Sequence, residues 1–118
     1  MGYIKTIYII GEMGDIFSCR CQSKFKNAQK YLEEIGFKVI NPIETYGNGS
    51  VKFRDAFRMN ITFLLECDAV YILPCMLIGK GNNIELRLAL QMNMFLIHGA
   101  YYDKEIVVEN DLDNYFLM

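Results

Sequence analysis

Asp68-Ala-Val-Tyr-Ile-Leu-Pro74, followed by Gly79-Lys-Gly-Asn-Asn-Ile-Glu85 and then Leu86-Arg-Leu-Ala-Leu-Gln-Met92, decides how this chain folds. From Ala69 to Leu73 almost no polar side chain interrupts the run, the composition of a strand buried on both faces of a parallel sheet. The glycine-rich heptad breaks the run, and apolar residues at helical spacing follow it. The reading is strand, glycine-rich loop, helix, a junction suited to binding an anion or a sugar. Glu85 falls in the first turn of that helix.

The same alternation extends in both directions. Lys5 to Ile10 is an apolar, β-branched run, and Gly11-Glu12-Met13-Gly14-Asp15 reads as the turn that closes it. From Ser23 to Ile35, Phe25, Ala28, Tyr31, Leu32 and Ile35 recur at helical spacing, and Gly36 ends the helix. Phe37 to Asn41 is a short second strand, stopped by Pro42 and opening into a polar loop from Glu44 to Ser50. A second helix near Lys52 to Glu66 carries Phe53, Phe57 and Leu64 on one stripe, with the polar Asn60 among them. Beyond the deciding stretch, Met94 to Ile97 reads as a fourth strand and Ile106 to Val108 as a fifth, before a tail ending Tyr115-Phe-Leu-Met118.

Strands and helices alternating at these lengths predict an α/β fold: a flavodoxin-like, broadly Rossmann-like three-layer sandwich around a mostly parallel sheet of four to five strands. In such sheets ligands bind at the carboxyl ends of the strands. Gly11 to Asp15, Asn41 to Ser50 and Pro74 to Glu85 are therefore expected to converge on one crevice.

Composition limits what that crevice serves. The 118 residues, 53% of them hydrophobic, are read as one domain spanning 1–118. Twelve basic against fourteen acidic residues give a formal net charge of -2, which leaves no global basic field for a nucleic-acid backbone. A small molecule or a protein partner is favoured. The amino terminus reads as a first strand and not as a cleaved leader, and no apolar run approaches the roughly 20 residues that span a bilayer. A cytoplasmic setting without membrane contact is expected. Cys19, Cys21, Cys75 and His98 would be the zinc ligands if the loops brought them together, but their spacing matches no common zinc pattern. Reduced cysteines that fill apolar space are the default, with no metal and no cofactor.

Two readings of Glu85 stand side by side. With Asn82 as N-cap it completes a capping-box-like arrangement, its carboxylate reaching back to an amide. It also shares a helix face with Leu88, Ala89 and Met92, the face expected to meet the sheet, and a glutamate there implies a cleft. Helix amides would then favour its ionised form. Gly79, Lys80, Gly81, Asn82 and Asn83 form the adjoining loop, where amides and one cation would receive a phosphate.

Tyr8-Ile-Ile-Gly-Glu-Met-Gly14, Phe37-Lys-Val-Ile-Asn-Pro42, Cys67-Asp-Ala-Val-Tyr-Ile-Leu-Pro74 and Gly81-Asn-Asn-Ile-Glu85 together resemble the nucleoside 2-deoxyribosyltransferase superfamily. The nearest likeness is to a small bacterial and phage branch, mostly labelled a domain of unknown function, in which the first loop usually reads glycine-proline-methionine. Glu12 stands in place of that proline. The resemblance implies that Glu85 is the nucleophile that attacks the anomeric carbon, releases a nucleobase and forms a glycosyl ester. It also implies substrate contacts from Gly11, Glu12, Met13, Gly14, Asp15 and the loop Gly79 to Asn83. A small-molecule nucleoside or nucleotide as partner and homo-oligomeric assembly follow from it too.

Two positions depart from that pattern. Eight residues before Asp68 the family commonly carries an aspartate that supports the leaving base, and this chain has Asn60. An amide hydrogen-bonds but delivers no proton, so general acid catalysis, worth about 100- to 10,000-fold, is lost there. Six residues before Glu85, where relatives often carry serine or aspartate, stands Gly79. Three functions therefore remain open: an N-glycosidase or deoxyribosyltransferase-like enzyme with Asn60 positioning, a nucleotide-binding protein that has lost turnover, and a structural module whose apolar tail packs on a partner.

Overall fold

The computed structural model describes residues 4–11, 19–47, 49–73, 84–99 and 107–109. Its element order is β1 (Thr6–Ile10), α1 (Cys19–Ile35), β2 (Lys38–Ile40), a 3-10 turn (Pro42–Tyr46), α2 (Phe53–Glu66), β3 (Ala69–Ile72), α3 (Ile84–Gln91), β4 (Phe95–His98) and β5 (Val107–Glu109). The sheet runs β2-β1-β3-β4-β5. Its first four strands are parallel, and β5 joins β4 antiparallel. This is the expected α/β architecture, with the chain reversing its direction of winding between β1 and β3.

The sheet's two faces build two cores. Successive side chains on a strand point to opposite faces, so Ile7 and Ile9 join Phe25, Ala28 and Leu32 of α1. Tyr8 and Ile10 face the other way, among Leu64 of α2 and Leu86, Ala89 and Leu90 of α3. Helix α1 thus covers one face and α2 with α3 the other. The register Tyr8 to Val70 across the β1–β3 pair continues past the strands, where the Leu73 amide donates to the Ile10 carbonyl at 2.8 Å.

Helix ends follow local chemistry. Gly36 closes α1 as expected: at φ 122 it lets the Phe37 amide return to the Leu32 carbonyl at 3.1 Å. Helix α3 ends one step earlier than its apolar pattern suggests, because Asn93 takes a left-handed φ of 55 and the Met94 amide bonds the Ala89 carbonyl at 3.0 Å. Met92, expected on the buried face, lies in that turn and is exposed.

Three further expectations are corrected. Helix α1 begins at Cys19, so Cys19 and Cys21 stand in a helix and not in a loop. Two residues apart on a helix, they project to nearly opposite sides, Cys19 exposed and Cys21 buried, which prevents joint ligation of one ion. Among the described residues no group of three metal-ligating side chains converges. The buried stripe of α2 is Ala56, Asn60 and Leu64, while Phe53, at the helix's first position, is 66% exposed and packs its ring on Tyr46 and Phe57 instead of in the core. The polar loop after β2 is largely a 3-10 turn, started by Asn41, whose Oδ1 accepts the Ile43 amide, and by Pro42 at its first position.

Candidate active site

Tyr8 and Glu85 meet because register and helix phase agree. Tyr8 points from β1 toward the α2 and α3 layer, and Glu85 points from the first turn of α3 toward the sheet. The Tyr8 hydroxyl donates a hydrogen bond to Glu85 Oε2, joining positions 77 residues apart. Glu85 is 5% exposed, one of only three buried polar or charged residues among those described, with Asn41 and Asn60.

Burial governs the site's protons. Loss of water pushes the Glu85 carboxyl above its ordinary range, and the hydrogen bond from Tyr8 works against that rise. Desolvation is the larger of these two influences, so the carboxyl lies above its ordinary range with the Tyr8 bond in place. Burial also raises the Tyr8 phenol, and the neighbouring Glu85 charge raises it further. Tyr8 therefore holds its proton tightly and is the donor of the pair.

The 3-10 turn supplies a second hydroxyl. Tyr46 is buried, and its phenol is raised by burial and by the charge of Glu85, while a hydrogen bond from Asn60 works the other way. Its ring lies 5.4 Å from that of Phe53, which stacks on Phe57 at 6.4 Å and 8°. Asn60 is 1% exposed and serves the turn: its Oδ1 accepts the Thr45 hydroxyl at 2.5 Å, and its Nδ2 donates to the Pro42 carbonyl at 3.2 Å.

Gly11, at the carboxyl end of β1, has a packing reason to lack a side chain. A Cβ there would come within 2.5 Å of Leu73 and 3.1 Å of the Phe25 ring. Asp68 lies at the sheet's amino edge, where its Oδ2 accepts the amides of Lys5 at 2.9 Å and Thr6 at 3.0 Å. Glu12, Met13, Gly14, Asp15, Gly79, Lys80, Gly81, Asn82 and Asn83 lie outside the described residues, as does Cys75. So does the capping partner proposed for Glu85.

Neither the Tyr8 contact with Glu85 nor the burial of Tyr46 is visible in local sequence patterns. A tyrosine at an alternating position of a strand reads as core, and only the phase of α3 reveals that a carboxylate faces it. Tyr46 reads as a loop residue until the 3-10 turn folds it inward.

A family model described as Domain of unknown function (DUF4406) matches residues 5–98. The fold is also that of a solved 2-deoxyribosyltransferase from the psychrotolerant bacterium Bacillus psychrosaccharolyticus. The likeness has a TM-score of 0.63 at 14% identity and covers 94% of this chain and 82% of that one. Among curated proteins, none matches this sequence. Both parts of the resemblance read from the motifs, the deoxyribosyltransferase-like fold and the branch of unknown function, are met.

Proposed function

Since the chain belongs to the DUF4406 family and shares its fold with a 2-deoxyribosyltransferase, we propose that it cleaves or transfers the N-glycosidic bond of a nucleoside or nucleotide. The observation that carries this reading is the buried Glu85 carboxylate held by the Tyr8 hydroxyl on the α2 and α3 side of the sheet. A carboxylate in a dry site stabilises the positive charge that develops at an anomeric carbon as the base departs, then captures it as an ester. Tyr8 keeps the carboxylate oriented and favours its ionised form. The departing base takes its proton from water or from a group outside the described residues, because Asn60 has none to give.

A second reading has an observation of its own. Asn60 is bonded to the turn through Thr45 and Pro42, and as an amide it offers no acid at the position that commonly supports the leaving base. A nucleotide-binding protein without turnover fits that arrangement. Incubation with a panel of nucleosides and deoxynucleoside monophosphates separates the two. Free base, followed by chromatography and lost in Glu85→Ala, supports the enzyme. Saturable heat in calorimetry without base release supports the binder.

A further inference from the structure

The inward stripe of α2 ends in an exposed aromatic ring. Asn60 and Leu64 lie within about 20° of Phe53 around the helix axis. Both are buried, at 1% and 0% exposure, yet Phe53 is 66% exposed, more than any other large apolar side chain among the described residues. A ring phased inward and still exposed faces an opening in the packed layer.

That opening lies at the edge where ligands of such sheets bind. Helix α2 leads into β3 and so runs against the parallel strands, which puts its first turn at their carboxyl edge. Helix α3 follows β3, which puts its own first turn, with Glu85, at the same edge. The two helices pack on the same face of the sheet. Phe53 and Glu85 therefore share one edge and one face, the ligand-receiving side of an α/β sheet.

The ring is held in place. Tyr46, buried, lies 5.4 Å away at 33°, and Phe57, half-buried one turn on, lies 6.4 Å away at 8°. A flat apolar plane fixed in advance receives a planar ligand with little ordering cost. Size decides between occupants. Met59 and Leu65, the other exposed large apolar residues of α2, lie about 120° round the helix on either side of Phe53. One phenylalanine offers roughly 150–250 Å2 in all, whereas a stable protein interface takes about 800 Å2 from each partner. Exposed Lys52 and Arg54 flank the ring against the single acid Asp55 of that turn, which suits an anionic ligand.

We propose that Phe53 is a stacking platform for the nucleobase of a nucleotide, its ring held by Tyr46 and Phe57. The inference rests on the reading of this chain as one that takes a nucleoside or nucleotide, and it names where the base lies. Every base has a π-face, so the platform adds affinity with little preference among bases.

The chain contains no tryptophan, so Phe53→Trp places a single fluorescent reporter at the platform. The four common deoxynucleoside monophosphates are expected to quench its emission to saturation, while deoxyribose 5-phosphate, which carries no base, leaves it unchanged. A reporter at the other end of the helix, Leu65→Trp, responds to neither. In calorimetry Phe53→Ala weakens nucleotide binding by about 5- to 100-fold, and Phe53→Leu, which restores apolar bulk without a π-face, recovers only part of the loss. Emission of Phe53→Trp that stays fixed at nucleotide concentrations saturating the calorimetric signal overturns the proposal, as does a Phe53→Ala protein that binds as tightly as wild type. Emission that shifts with protein concentration alone, with a dimer lost in Phe53→Ala, overturns it in favour of a contact between copies. Quenching without base release counts against the enzymatic reading and leaves the platform standing. Base release with an unmoved reporter removes the platform alone, and wild type that gives no saturable heat with any nucleotide removes both.

Discussion

At Glu85 two influences act on one proton, and burial prevails over the Tyr8 hydrogen bond. Removing the weaker influence has a defined sign. Tyr8→Phe deletes a donor to the charged form, so the Glu85 pKa rises further. The acid limb of the pH profile for base release is expected to move up with it. A profile that stays in place would show that Tyr8 does not act on the ionisation of Glu85. The same burial has a consequence for stability. A carboxyl whose folded pKa lies above its unfolded value favours the folded state below the unfolded pKa, and the benefit is lost as pH rises through the folded pKa. Glu85→Gln, which keeps an oxygen acceptor for Tyr8 and carries no charge, should therefore be the more heat-stable protein at neutral pH. Its advantage over wild type shrinks as pH is lowered below the carboxyl range. Thermal unfolding of both proteins across pH checks this, and an advantage that grows toward acid would contradict it.

Individual elements explain where sequence reading succeeded and where it stopped. Gly36 was legible as a helix end because its φ of 122 is a conformation that only glycine adopts cheaply. Space is open around it, so Gly36→Ala should cost about 1 kcal/mol through backbone strain alone, measured by denaturant unfolding. A neutral result would mean that the Schellman closure is unimportant. The end of α3 was less legible because Asn93 performs the same task with a residue that also serves in loops and helices. The 3-10 turn was missed for a related reason. Its buried Ile43 and Tyr46 follow Pro42 in a stretch whose Glu44, Thr45 and Gly47 signal a loop, and its stability comes from Asn41 and Asn60 side chains that only the fold brings near. Phe53 was placed on the buried stripe of α2 because helical spacing alone does not say which apolar residues of a stripe reach the core and which stay exposed at the helix end.

For the whole molecule, alternation of strand and helix was enough to specify a parallel sheet, and the order β2-β1-β3-β4-β5 puts the β1–β3 junction at the centre. That order sets the meeting of Tyr8 and Glu85, since β1 and β3 are neighbours and α3 follows β3. Glu85 was legible from its place after a glycine-rich loop; its partner was not, because a contact 77 residues distant in sequence is written in no local pattern. The far end of the sheet is held separately. Asp68 binds the first amides of β1, which hold its carboxyl below the ordinary range. Its contribution to stability is present above the unfolded carboxyl pKa and is lost as pH falls through the folded one. Asp68→Asn should thus be less stable than wild type at neutral pH and should approach it in acid, by thermal unfolding, while base release at neutral pH is unaffected. Loss of base release in a folded Asp68→Asn protein would contradict the assignment of this residue to structure.

The central claim is that the Glu85 carboxylate attacks the sugar. Intact-mass and peptide mass spectrometry of the protein, quenched in acid during incubation with the nucleoside from which it releases base, tests it most directly. A glycosyl adduct on the peptide carrying Glu85, absent in Glu85→Ala, is the predicted result. Base release that persists in Glu85→Ala, or an adduct on another residue, would contradict it.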